Sequence, residues 1–223
     1  MSKKKSDPSY SGFLYIILFV VVYFHIFIQS SKSTVTEESL ERSVHITSCS
    51  PYGISMGSGV LVDDGYILTA AHVVEDSNSF IIEYFDGTTE NAEWTYAEPS
   101  LDLALIRVKR TMPGKLGVMK KTPRIGSRVF MVGCPYGILK HAVTEGIISK
   151  HWESVPEVWD NRLFITDAET APGNSGGGVY YRGDLVGILV GGVPNGIGLC
   201  VPAVQINLFI GKFNIMQETK RAM

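Results

Sequence analysis

From Val44 onward, short apolar runs alternate with turns rich in glycine and aspartate, the pattern of an all-β protein. Ile54–Val62 and Tyr66–Thr69 flank Asp63-Asp64-Gly65, and Phe80–Phe85 and Thr88–Tyr96 flank Asp86-Gly87; each reads as a hairpin. Leu101–Val108 reads as a buried strand with one carboxylate, Asp102, inside it. Arg110–Arg124 carries Pro113, Gly114, Gly117 and Pro123 and reads as a connection between two β units. The second unit is predicted from strands at Ser127–Gly133, Ala142–Ser149, Arg162–Asp167, Val179–Tyr181, Leu185–Val190 and Gly198–Pro202. His151–Asn161 reads as a loop between two of them. Ala203, Ile206, Ile210 and Phe213 recur at helical spacing and predict a terminal helix. About six strands per unit suit two six-stranded antiparallel barrels, about 44–112 and 125–202, in one domain spanning 44–215 with a tail at 216–223.

The N-terminal stretch follows another pattern. Lys3-Lys4-Lys5 precedes an apolar run, 13–28, interrupted only by His25. With Tyr10 and Gly12 it approaches the roughly 20 residues that span a bilayer, and no Ala-x-Ala cleavage site follows. The expectation is one transmembrane signal anchor, with a cleaved signal peptide as the alternative. The lysines would hold 1–12 in the cytoplasm and send the rest to the outer, periplasmic, lumenal or extracellular side. Residues 29–43 are polar and aperiodic and read as a tether.

The chain has 223 residues and a net charge of −2, with no basic block past the N-terminus, so no nucleic-acid partner is expected. Cys49, Cys134 and Cys200 are too few and too scattered for a zinc site or a disulfide framework, and no metal or cofactor is expected. In an oxidising compartment one pair could bridge.

Candidate chemistry lies in Pro172-Gly-Asn-Ser175-Gly-Gly177. Such a glycine-rich run can turn sharply and aim successive N–H groups into one hollow, leaving Ser175 beside an oxyanion site made by the N–H groups of Gly173 and Ser175. A serine nucleophile needs a base. The five histidines, His25, His45, His72, His141 and His151, all precede Ser175, which excludes the serine–acid–histidine order of α/β-hydrolases. His72 follows the small residues Ala70 and Ala71, which give its ring room. Asp102, in a buried strand, needs a donor, and a histidine N–H suits it. Asp76, Asp86 and Asp160 sit in turn-like or polar stretches, and Asp167 is the one competitor.

Thr69-Ala-Ala-His72, Asp102-Leu-Ala-Leu105 and Pro172-Gly-Asn-Ser175-Gly-Gly177 resemble the three catalytic blocks of trypsin-like serine proteases. Gly57-Ser-Gly-Val-Leu-Val62, Val132-Gly-Cys-Pro-Tyr-Gly137, Val143-Thr-Glu-Gly-Ile-Ile-Ser149 and Thr166-Asp-Ala168 look like the HtrA/Deg subgroup. The resemblance covers about 50–210 and implies an active site in a cleft between two barrels. It implies His72 as general base, Asp102 as its orienting carboxylate and Ser175 as nucleophile, acting on protein or peptide substrates. The backbone of Val190, Gly191 and Gly192 would pair with substrate. Glu169 falls near the floor of the specificity pocket, where an acid would favour Lys or Arg, whereas HtrA proteins favour small aliphatic side chains. HtrA proteins usually add PDZ domains, and 203–223 is too short for one. Gly178 stands where many relatives have proline, and Cys134 replaces a polar residue. Two other readings stay open: a silent peptide-binding member, and a viral or phage processing protease.

Overall fold

The computed structural model describes residues 15, 17–21, 35–50, 53–62, 65–77, 79–155, 159–193 and 196–222. It divides into two units, 1–33 and 34–223. In the first, Tyr15 and 17–21 are helical and exposed; the rest of the expected span at 13–28 lies outside the described residues. Among the described residues, no helix is long and apolar enough to cross a membrane.

The second unit opens on a short helix, α1 (Glu37–Glu41), capped by Thr36, whose Oγ1 accepts the Ser39 N–H. This helix lies in the stretch read as a tether. Arg42, just after it, is fully buried. Its guanidinium donates to Glu38 Oε1 at 2.9 Å, the Leu61 carbonyl at 3.1 Å and the Gly114 carbonyl at 3.1 Å, tying α1 to the barrel wall and the inter-barrel connection.

Twelve strands follow among the described residues. The first six are β1 (Ser43–Ser50), β2 (Gly53–Val62), β3 (Tyr66–Thr69), β4 (Phe80–Tyr84), β5 (Thr89–Glu98) and β6 (Leu103–Arg107). They close antiparallel in the order β1-β2-β3-β6-β5-β4. The second six are β7 (Arg128–Gly133), β8 (Ala142–Val155), β9 (Trp159–Thr166), β10 (Gly178–Tyr181), β11 (Asp184–Val193) and β12 (Ile197–Pro202). They close as β10-β11-β12-β9-β8-β7, the same cyclic order offset by six. Alternating burial along β4 follows the period of two that leaves one strand face in the core and one in solvent. Closure removes sheet edges that would otherwise leave backbone groups unpaired.

Two expectations are corrected here. Residues 151–155 and 159–161, read as loop, extend β8 and β9 into one long hairpin, with His151 opposite Phe164. The terminal helix, α2 (Ala203–Ala222), runs through most of the expected tail and buries Ala203, Ile206, Phe209 and Phe213. It lies on the first barrel, with Phe213 edge-on to Tyr66 at 5.1 Å and Phe209 stacked on Tyr96 at 5.2 Å.

Candidate active site

Strand β3 ends at Thr69, and Ala70 and Ala71 lead into a single 3-10 turn, Ala71–Val73, that carries His72 at the surface. Both alanines are buried, so only small side chains fit there. Asp102 does not lie inside a strand as the sequence suggests. It ends the turn Pro99–Leu101 in the left-handed region (φ 52°, ψ 45°), one residue before β6. Aspartate tolerates that conformation better than most residues. The turn swings the carboxylate back toward the β3 end. There Asp102 Oδ2 meets His72 Nδ1 at 2.7 Å, and Oδ1 accepts the His72 backbone N–H at 2.9 Å. A carboxylate only accepts, so His72 donates from Nδ1 and Nε2 is left free to take a proton. The hydrogen bond to Asp102 raises the His72 pKa; burial opposes it, and the charges of Asp102 and Glu75 add to the rise. The competing Asp167 is exposed and accepts the Ile147 N–H at 2.6 Å.

The loop that carries Ser175 comes from the second barrel, between β9 and β10. Gly173 and Gly176 have φ of +94° and +86°, a region that suits glycine. The Pro172 carbonyl accepts the Tyr136 N–H at 2.6 Å, and the Asn174 carbonyl accepts the Gly177 N–H at 2.9 Å. No peptide bond is cis among the described residues, and in a trans peptide N–H and C=O point in opposite directions. The N–H groups of Gly173 and Ser175 are thereby turned away from those contacts, and neither has an acceptor among the described residues.

The loop is docked on the segment that carries His72. A Cβ added to Gly57 would lie 2.6 Å from Val73 Cγ1 and 3.2 Å from the Ser175 carbonyl oxygen. One added to Gly176 would lie 2.2 Å from Thr69 Oγ1. The glycines are the spacers that let the two barrels approach there.

Beside Ser175 lies a cavity of about 360 Å³, lined by Thr170, Pro172, Leu189, Gly191, Gly192 and Val193 among others. None of its lining residues is charged. Glu169 is exposed, with its Cα 3.7 Å from the position of a Cβ on Gly196, and it does not line the cavity. Val190 sits where the β11–β12 register shifts, and its side chain is buried. Gly191, Gly192 and Val193 pair with β12 on one edge, and their other edge has no strand partner among the described residues. Gly178 is buried in β10 with the Tyr180 ring 2.7 Å from the position of a Cβ.

Sequence reading passed over Ser58, the one hydroxyl in the buried half of β2. It is fully buried, and its N–H donates to the Ser175 carbonyl at 2.7 Å. A lone serine in a buried apolar run was the available signal, since a buried hydroxyl needs a partner. Thr170 was missed as well, although it follows Glu169 directly. All three cysteines are free, Cys49 exposed and Cys134 and Cys200 buried.

Two closed barrels with a histidine–carboxylate pair on one and a glycine–serine loop on the other define a class, and the family model described as "Trypsin-like peptidase domain" matches residues 57–188. The chain belongs to that family of serine endopeptidases. Within it, the similar proteins are HtrA-type. A "Probable periplasmic serine endoprotease DegP-like" of Pseudomonas putida is 36% identical over 138 residues, 60% of this chain and 28% of that protein. The "Serine endoprotease DegS" of Salmonella typhimurium is 34% identical over 161 residues, 66% of this chain and 45% of that protein. The solved structure "HtrA-type protease AlgW with tripeptide" superposes with a TM-score of 0.73 at 25% identity, covering 82% of this chain and 62% of that one. The chain thus spans less than half the length of these curated relatives.

Proposed function

We propose that this chain hydrolyses peptide bonds in extended polypeptides through His72, Asp102 and Ser175. The observation that carries the reading is the 2.7 Å bond from His72 Nδ1 to Asp102 beside the docked Ser175 loop. Ser175 Oγ attacks the scissile carbonyl while His72 Nε2 takes its proton, and Asp102 holds the resulting imidazolium. The N–H groups of Gly173 and Ser175 receive the oxyanion. His72 then gives the proton to the leaving amine, and water releases the acyl-enzyme by the same steps reversed. Substrate pairs as an added strand with the open edge at Gly191–Val193. Its side chain before the scissile bond enters the uncharged cavity, so small aliphatic residues are taken ahead of Lys or Arg. Relatives solved with a bound tripeptide or decapeptide support a peptide ligand.

The test is turnover of an unfolded protein and of peptides with Val or Arg before the scissile bond. Ser175→Ala should lose about a millionfold in rate, and a fluorophosphonate should label Ser175 in the wild type. Retained turnover in the variant, labelling elsewhere, or preference for Arg would refute the corresponding part.

Residues 13–28 serve as an uncleaved membrane anchor in this reading, with the peptidase domain exported, as the periplasmic relatives suggest. Carbonate extraction should leave the full-length chain in the membrane pellet; a shortened, released chain would mark 13–28 as a cleaved signal.

A further inference from the structure

Ser58 is bonded at every polar atom it has. Its N–H donates to the Ser175 carbonyl at 2.7 Å, and its carbonyl accepts Thr69 Oγ1 at 2.7 Å. Its Oγ accepts the Cys134 N–H at 2.9 Å and lies 2.7 Å from the Gly173 carbonyl. A backbone N–H can only donate, so the Cys134 contact occupies Ser58 Oγ as acceptor. The single hydroxyl proton is therefore directed at the Gly173 oxygen.

That carbonyl matters because of where it sits. Gly173 joins two peptides at a residue with φ of +94°, and glycine offers the widest choice of backbone angles on either side of its Cα. The peptide before Gly173 is held by Tyr136 through the Pro172 carbonyl. The peptide after it is held at its carbonyl by Ser58. With both planes fixed, the Gly173 N–H keeps its direction. Thr69, three residues before His72, holds Ser58 in turn, so one residue of the first barrel registers the base-bearing segment against the nucleophile loop of the second.

We infer that Ser58 is a positioning residue for the oxyanion site, its hydroxyl fixing the Gly173–Asn174 peptide and thereby, across the Gly173 Cα, limiting rotation of the Pro172–Gly173 peptide whose N–H stabilises the tetrahedral intermediate. The inference rests on the peptidase reading above. Ser58 touches no substrate, so its loss acts on the transition state and leaves ground-state binding alone.

The experiment compares wild type, Ser58→Ala and Ser58→Thr, with kinetics normalised to active sites titrated by fluorophosphonate. Ser58→Ala should lower kcat roughly 10- to 100-fold, with KM within about twofold of wild type. Affinity for a peptide boronate, which mimics the tetrahedral state, should fall by the same factor. Ser58→Thr keeps the hydroxyl and should recover most of both. Unchanged kcat per active site in Ser58→Ala, even with a lower melting temperature, would make the residue merely structural and overturn the proposal. So would a rise in KM with kcat retained, or a failure of Ser58→Thr, folded by circular dichroism, to recover either quantity. Wild-type labelling at Ser175 separates the two levels: its absence overturns the peptidase reading and this proposal with it, whereas a labelled wild type with an indifferent Ser58→Ala overturns this proposal alone.

Discussion

At the scale of single residues, the proposed mechanism makes His72 the source of the pH dependence. Its hydrogen bond to Asp102 favours the protonated ring, so its pKa lies above the ordinary 6.5. A general base works only when neutral. The acid limb of kcat/KM should therefore lie above pH 6.5, with activity appearing as pH rises through the raised value. Asp102→Asn should lower kcat by roughly 10⁴ and move that limb down, because the amide neither fixes the tautomer nor attracts the proton. A pH–rate profile with an unmoved limb would remove Asp102 from this role. The stability contribution has the opposite sense: the charged pair stabilises the fold at pH below about 6.5 and fades as pH rises through the folded value. The pairing of these two residues was legible in the sequence from histidine order and a lone buried acid. The left-handed turn at Asp102 was not, because it depends on Pro99–Leu101 closing a 3-10 turn that propensity does not announce.

At the scale of elements, α2 shows what periodicity can and cannot give. Ala203, Ile206 and Phe213 were readable as its buried face; Ile210 is only partly buried, while Phe209 is almost fully so. The stripe rotates because Tyr66 and Tyr96 offer aromatic partners on the first barrel, and an aromatic side chain buries more area there than isoleucine. Phe213→Ala should accordingly cost about 3–5 kcal/mol, read as a lower urea midpoint with unchanged slope. A loss within 0.5 kcal/mol would mean that the helix is not integral to the fold. The β8–β9 hairpin was missed for a related reason: 151–161 mixes polar and apolar residues without strict alternation, yet 151–155 and 159–161 pair with one another or with neighbouring strand residues.

At the scale of the molecule, several contacts tie the barrels together near the loop at 134–141. Lys140 Nζ reaches Glu83 of β4 at 2.6 and 2.7 Å, and His141 lies edge-on to Phe85 at 5.2 Å. His45 of β1 is buried, with Nδ1 4.0 Å from Glu83. Burial lowers the pKa of both histidines; Lys140 lowers each further, while Glu83 opposes. Neither His45 Nε2 nor His141 Nδ1 has a partner among the described residues. The unfolded chain thus binds protons that the folded one refuses. The contribution of these two histidines to stability should be fully present above about pH 6.5 and decline as pH falls toward the folded values, opposite in sign to that of the His72–Asp102 pair. Chemical denaturation across pH 5 to 8 should show His45→Gln losing less stability than the wild type as pH falls. An identical slope in the variant would exclude His45 as a source.

What the chain's own order of residues determined was strand runs, turn glycines and a helix stripe, each set by side chains within one short segment, together with the histidine–acid–serine succession along the chain. What folding alone decided was the meeting of distant segments. Arg42 reaching Gly114, Ser58 bridging Cys134 and Gly173, and Glu169 left in solvent beside an uncharged cavity all depend on how two barrels pack. Such contacts join residues far apart in sequence, and their geometry follows from closure and packing of whole sheets, which no local pattern encodes.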